Sequence, residues 1–162
     1  MSANIIIQSI SKLTEVHREL LKTAKEKTEA IKSGIPDELQ AVLLAERKII
    51  KKAEQAESER QEAAESWFKH NKLPVNDMSV SKMLGLLREK EKHALAVGTE
   101  ELTEVIAELR QQERLNQDLI RQSMEFVQLS LELVNPSMKK MNYGSQKQQQ
   151  TTTNHSLFDS QA

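Results

Sequence analysis

The sequence predicts an all-α protein, an elongated antiparallel coiled-coil bundle of three long helices with one short extra helix and a disordered C-terminal tail. Glycine and proline, the residues that most readily end helices, number only 4 and 3 in 162 residues. Aromatic residues, which strands favour, make up 3% of the chain. Apolar residues recur three or four positions apart over long stretches, and this spacing places them on one face of a helix.

Short segments rich in glycine, proline or asparagine divide the chain at residues 34–36, 71–79, 98–99 and 135–136. The helices predicted between these breaks span about residues 4–33, 36–70, 80–92 and 100–135. Residues 1–136 therefore form the predicted bundle. Residues 137–162 include a Gln/Thr run that cannot bury enough apolar surface to offset its ordering entropy, so they form a predicted flexible tail.

The first two helices each carry one long apolar stripe, and the second is on the order of 50 Å long at about 1.5 Å per residue, which favours coiled-coil packing. The first stripe comprises Ile6, Ile10, Leu13, Val16, Leu20, Leu21, Ala24 and Ile31. The second comprises Leu39, Val42, Leu43, Ile49, Ile50, Ala53, Ala56, Ala63, Ala64 and Trp67. Thr99 is predicted to cap the last helix, with Glu100, Glu101 and Glu104 in its first turns, where negative charge is favourable.

The composition excludes several functional classes. Charged residues make up 29% of the chain, but the net charge is only -1, so no basic footprint for nucleic acid is present. The chain has no cysteine, which excludes disulfides. No apolar run approaches the roughly 18 residues that a membrane-spanning helix needs, and Ile5-Ile6-Ile7 is too short for a signal peptide. The expected location is the cytoplasm.

No motif predicts catalysis, a metal or a cofactor. A phosphate loop, a nucleophile elbow and a Ser/His/Asp arrangement are all absent from the sequence. Glu89 and His93 lie four residues apart, but a metal site needs three or four ligands. His17 falls near the first apolar stripe, where a hydrogen-bonded packing role is the expected one. The protein is therefore predicted not to be an enzyme.

The last long helix has a main seam, predicted to pack against the other helices. On a wheel of 100° per residue the seam comprises Leu102, Ile106, Leu109, Ile120, Met124, Val127, Leu131 and Val134. Glu113 and Asn116 interrupt it. A polar layer in such a seam fixes the register of the helices at some cost in stability.

A second stripe on the same helix predicts a function. It comprises Leu115, Leu119, Phe126, Leu129 and Leu133, with Gln122 between them. A helix that is apolar on more than one face is either buried or available to a partner. Two interpretations stay open: the neighbouring helices or the short helix around Met83 and Leu87 cover this stripe, or it binds another protein.

Two segments resemble the FlgN-type flagellar export chaperones. They are Leu115-Asn116-Gln117-Asp118-Leu119-Ile120 and Ser123-Met124-Glu125-Phe126-Val127. The family commonly has a Tyr-Gly pair after its last helix, and Asn142-Tyr143-Gly144 matches that pattern. The Glu/Leu/Lys-rich first two helices also fit, so the resemblance covers roughly residues 13–144.

The resemblance implies a cytoplasmic chaperone of flagellar type III export. Such chaperones bind the C-terminal helical segments of the first and third hook-associated proteins, which form the hook-filament junction, and deliver them to the export gate. It implies that Tyr143 docks the loaded chaperone on the gate, although Tyr143 packing over the bundle end is an equal alternative. Other interpretations are a self-assembling structural coiled-coil adaptor, a metal-dependent bundle enzyme and a chaperone for another secretion client.

Overall fold

The computed structural model describes residues 2–134, and within them all regular structure is helical. The helices are α1 (Asn4–Ser33), α2 (Pro36–His70), α3 (Val80–Leu84) and α4 (Glu89–Val134). The predicted all-α class is confirmed. The chain divides into two units, Met1–Leu119 and Ile120–Ala162. The predicted tail, residues 137–162, lies outside the described residues.

The break between α1 and α2 follows from three consecutive residues. Gly34 adopts the left-handed conformation with φ of 69°, which glycine reaches without a Cβ clash, and its N–H bonds the carbonyl of Ile31. Ile35 is extended, and Pro36 occupies the first helical turn, where its missing N–H costs nothing. α1 and α2 therefore have the predicted bounds.

Ion pairs between α1 and α2 show that these helices run antiparallel. Lys12 Nζ lies 2.6 Å from Glu59, near the start of α1 and the end of α2. Lys52 Nζ lies 3.8 Å from Glu19, so the residue numbers rise along α1 as they fall along α2. Both pairs are largely solvent-exposed, so each contributes little to stability. They show which residues of the two helices lie side by side.

The part of α4 that belongs to the first unit runs parallel to α1. Thr28 bonds Asn116, an offset of 88 residues, and Ser2 bonds Glu91, an offset of 89. A near-constant offset means that the residue numbers of the two helices rise in the same direction, so the helices are parallel. The first unit is therefore an up-down-up arrangement of three long helices.

The largest apolar cluster lies where all four helices meet. Trp67 and Phe68, at the end of α2, are 3% and 0% exposed, with ring centroids 5.3 Å apart in an edge-to-face arrangement. Met83 of α3 is 3% exposed and joins the same cluster, together with Ile6 and Leu95. The short helix α3 thus packs at this end of the first unit, and it does not cover Leu115.

Two predicted helix bounds were wrong. The short helix ends at Leu84 rather than near residue 92, and the last helix begins at Glu89 rather than near residue 100. Gly85 follows α3, whereas Glu89 and Glu91 provide the favourable acidic first turn of α4. Leu95, which was predicted to lie in the connection between these two helices, is 1% exposed, and its burial stabilises a continuous helix.

Gly98 and Thr99 do not interrupt α4. Glycine inside a helix costs about 1 kcal/mol relative to alanine, which burial at a helix contact offsets. A Cβ added at Gly98 would lie 3.5 Å from Ile10 Cγ2, so α1 passes close by. Thr99 is not a cap, because its hydroxyl donates to the carbonyl of Leu95, one turn earlier in the same helix.

Packing is uneven along the first unit. The buried residues of α2 are Ala56, Ala64, Trp67 and Phe68, and none lies between residues 36 and 55. The first half of α2 therefore contributes no fully buried side chain to the bundle. Among residues 2–134, no helix combines the length and apolar content that crossing a bilayer requires.

Candidate protein-binding site

The predicted polar layer in the main seam is confirmed, and it is built around Asn116. This side chain is 1% exposed, and its Nδ2 donates to the carbonyl of Ala24 over 2.9 Å. Its Oδ1 accepts from the hydroxyl of Thr28, which in turn accepts from Gln112 Nε2. A displacement of α4 by one turn would leave these buried groups without partners, so the layer fixes the register between α1 and α4.

Lys27 adds a charged group to this layer. Its Nζ lies 2.6 Å from Glu46 of α2 and 3.0 Å from Glu113 of α4, so one cation joins three helices. Burial opposes the charged form and is the largest single influence on its pKa, but the hydrogen bonds and charges of the two carboxylates together outweigh it. The pKa of Lys27 is therefore raised above its usual value of 10.5.

The polar layer supports a structural role rather than a catalytic one. A lysine with a raised pKa stays protonated at neutral pH, and a protonated amine is neither a nucleophile nor a base. Over residues 2–134, every buried side-chain nitrogen or oxygen has a hydrogen-bond partner. Such satisfied groups hold a bundle in place.

His17 has the packing role that the sequence predicted. Its Nδ1 lies 2.8 Å from the carbonyl of Leu13, one turn earlier in α1, in the geometry of a hydrogen bond within a helix. Within the described residues, no group of three His, Asp or Glu side chains is placed to hold a metal ion.

The second stripe begins in the first unit. Leu115 is 45% exposed and Leu119 is half-buried, although both lie beside the buried layer at Asn116. Neither α3 nor a residue of the large apolar cluster covers them. The interpretation that the short helix covers this stripe is therefore wrong for these residues.

Residues 120–134 of α4 form the described part of the second unit, and here the second stripe is open. Phe126 is 70% exposed, Leu129 54% and Leu133 75%. Three large apolar side chains on one helix face, each more than half exposed, are characteristic of a protein-binding surface. Phe126, Leu129 and Leu133, three of the five residues that the sequence proposed for client binding, are thus exposed.

The main seam does not continue as predicted beyond Asn116. Met124, Val127, Leu131 and Val134 are 56–84% exposed instead of packed. Residues 120–134 therefore expose apolar side chains on more than one helix face.

Sequence reasoning missed two features. Lys27 was expected to lie on a solvated Glu/Lys face with Glu26 and Glu29, but it is 7% exposed, and the gap in the first stripe between Ala24 and Ile31 is the signal for the polar layer. Leu43 and Ile50 were assigned to a packing stripe, yet each is 40% exposed. Tyr143, the proposed gate-docking residue, lies outside the described residues.

Comparison with known proteins gives one family and one relative. A family model described as FlgN protein matches residues 1–151 of the chain. Among curated proteins, the uncharacterized protein YvyG of Bacillus subtilis (strain 168) is 29% identical over 164 residues, and the match covers 100% of both chains. No solved structure gives a significant match.

Proposed function

The chain belongs to the FlgN family of flagellar export chaperones, and from this membership we propose that it binds the C-terminal helical segments of the first and third hook-associated proteins. In this proposal the chaperone works in the cytoplasm, prevents premature assembly of these hook-filament junction subunits and delivers them to the flagellar export gate. The relative YvyG is itself uncharacterized, so the choice of client rests on the family.

The observation that carries the proposal is the exposed second stripe of α4. Leu115, Leu119, Phe126, Leu129 and Leu133 follow one another at intervals of four, seven, three and four residues. Gln122 divides the interval of seven into three and four, which completes a heptad pattern. This pattern matches an amphipathic client helix that docks along α4 with its own apolar face inward.

The energetics suit a chaperone that must later release its client. Fully burying a Leu or Phe side chain contributes about 1.5–3 kcal/mol, and the partly exposed residues of the stripe contribute less. A few such contacts offset the entropy that is lost on association and leave a moderate net affinity. Release then needs only a competing partner at the gate and no covalent step.

We expect Phe126→Asp and Leu129→Asp each to weaken client binding at least about tenfold, because a carboxylate would be desolvated against the client's apolar face. The measurement is titration calorimetry with C-terminal segments of the two hook-associated proteins. Leu86→Asp is the matched control, since Leu86 is 60% exposed but lies before α4. If both stripe variants keep their helical circular dichroism and bind normally, the client surface is wrongly assigned.

Self-assembly through the same stripe is the leading alternative. Sedimentation of the free chain separates the two functions. A chaperone remains monomeric over the concentration range in which it binds its client, whereas an adaptor forms a stable oligomer that Phe126→Asp dissociates.

The gate-docking part of the proposal predicts an effect that does not involve the client. Tyr143→Ala is expected to retain client affinity and to lose binding of the loaded chaperone to the export gate, because the aromatic ring is the proposed contact. Tyr143→Phe, which keeps the ring, is the control. Unchanged gate binding by Tyr143→Ala in a pull-down would remove Tyr143 from the mechanism.

A further inference from the structure

α2 carries a second exposed surface, the basic apolar patch. Leu43, Leu44 and Ile50 are 40%, 53% and 40% exposed. Three exposed cations lie next to them on the helix. Together the six residues form two adjacent rows, and within each row the residues are four and then three positions apart. The rows are Leu43-Arg47-Ile50 and Leu44-Lys48-Lys51.

None of the three cations of this patch is engaged within the described part of the chain. Arg47, Lys48 and Lys51 form no ion pair with residues 2–134, whereas the neighbouring Lys52 lies 3.8 Å from Glu19. Glu46, adjacent to Arg47 in sequence, is held by Lys27 at 2.6 Å. No ion pair within residues 2–134 therefore neutralises these three cations.

We propose that the basic apolar patch is a docking surface for an acidic amphipathic helix of a protein partner. Such a helix would place aliphatic side chains against Leu43, Leu44 and Ile50, and glutamate or aspartate beside Arg47, Lys48 and Lys51. This surface is separate from the second stripe of α4 and does not depend on which client that stripe binds.

Charge favours an acidic partner helix over two other candidates, a second copy of the chain and residues 135–162 of the same chain. A second copy that docked patch against patch would bring like charges together, since a two-fold contact pairs a surface with itself. Residues 135–162 contain Lys139, Lys140 and Lys147 against Asp159 alone, so they match the charge of the patch and do not complement it.

The side chains of the patch also favour a protein helix over an anionic membrane as the occupant. Helices that lie in the membrane interface bury a broad apolar face that commonly includes tryptophan or phenylalanine. The patch has no aromatic residue, and its aliphatic side chains are only about half exposed, in two narrow rows. Narrow rows fit between the side chains of a second helix better than they anchor in lipid.

The test uses the full chain and a labelled synthetic peptide of about three heptads, with leucine on one face and glutamate on the flanks. Fluorescence anisotropy is expected to show saturable binding that weakens as salt is raised, because exposed charges are screened. Leu44→Gln and Lys51→Glu are each expected to weaken binding about fivefold. Leu86→Gln and Lys25→Glu alter an exposed leucine and an exposed lysine elsewhere and serve as matched controls.

Three results would overturn the proposal. They are the absence of saturable binding by the acidic peptide, equal binding of a peptide in which lysine replaces glutamate, and equal losses in the control variants. Phosphatidylglycerol vesicles form a further arm, and flotation of the chain with them that Lys51→Glu abolishes would assign the patch to a membrane. Oligomerisation of the chain that Leu44→Gln abolishes would assign it to a second copy.

Discussion

Phe68→Ala is expected to lower the free energy of unfolding by about 3–5 kcal/mol, which is a large part of the stability of a domain of this size. Phe68 is 0% exposed and packs against Trp67 in the cluster that joins all four helices. Alanine would leave a cavity lined by rigid helices that cannot move inward independently of one another. Urea denaturation followed by circular dichroism at 222 nm measures the change.

Phe126→Ala is the matched control, because the same atoms are removed from a side chain that is 70% exposed. Its free energy of unfolding is expected to change by less than about 0.5 kcal/mol, while its client affinity falls. The pair of variants therefore separates a stability effect from a binding effect. Equal destabilisation by the two variants would mean that Phe126 is buried and that the second stripe is not a free surface.

The sequence was sufficient for the elements that local chemistry determines. The end of α1 and the start of α2 follow from Gly34 and Pro36, whose backbone preferences need no tertiary contact. The buried Asn116 was also predictable, because a polar residue at a helical interval between apolar ones must lie in the same contact. Periodicity likewise identified Phe126, Leu129 and Leu133 as a separate face.

The failures of the sequence analysis all depend on a second helix. Gly98 is a helix breaker by propensity, and the burial of Leu95 in the apolar cluster shows why α4 continues through it. The exposure of Val127 and Leu131 could not be predicted, because an apolar period along one helix does not show whether another helix covers it. That Lys48 and Lys51 form no ion pair with other described residues became evident only once the ion pairs of their neighbours were known.

Lys27→Ala is expected to cost about 2–3 kcal/mol, because it leaves Glu46 and Glu113 close to each other without a cation. The value is set below that of a fully buried pair, since the Glu113 side chain is 35% exposed and water screens it in part. Lys69→Ala is the matched control. Lys69 pairs with Glu65 within α2, but its side chain is 63% exposed, so a loss of at most about 0.5 kcal/mol is expected.

Replacing Lys27, Glu46 and Glu113 together measures what the ion pairs contribute to stability. The single replacement of Lys27 measures instead the cost of leaving two carboxylates without their cation. The combined variant Lys27→Met, Glu46→Leu and Glu113→Leu is expected to be about as stable as the parent chain or more stable, since apolar side chains of similar volume avoid the desolvation penalty. If this variant is as unstable as Lys27→Ala, the ion pairs themselves stabilise the bundle and the explanation by desolvation is wrong.

The dependence of stability on pH tests the same group without a mutation in the parent chain. The pKa of Lys27 is raised in the folded state, so its stabilising contribution is fully present below 10.5 and is lost as the pH rises through the folded value. Urea midpoints measured upward from pH 10 should therefore fall more steeply for the parent chain than for the combined apolar variant. Parallel curves for the two proteins would show that Lys27 has the same pKa folded and unfolded, and would contradict the charged layer.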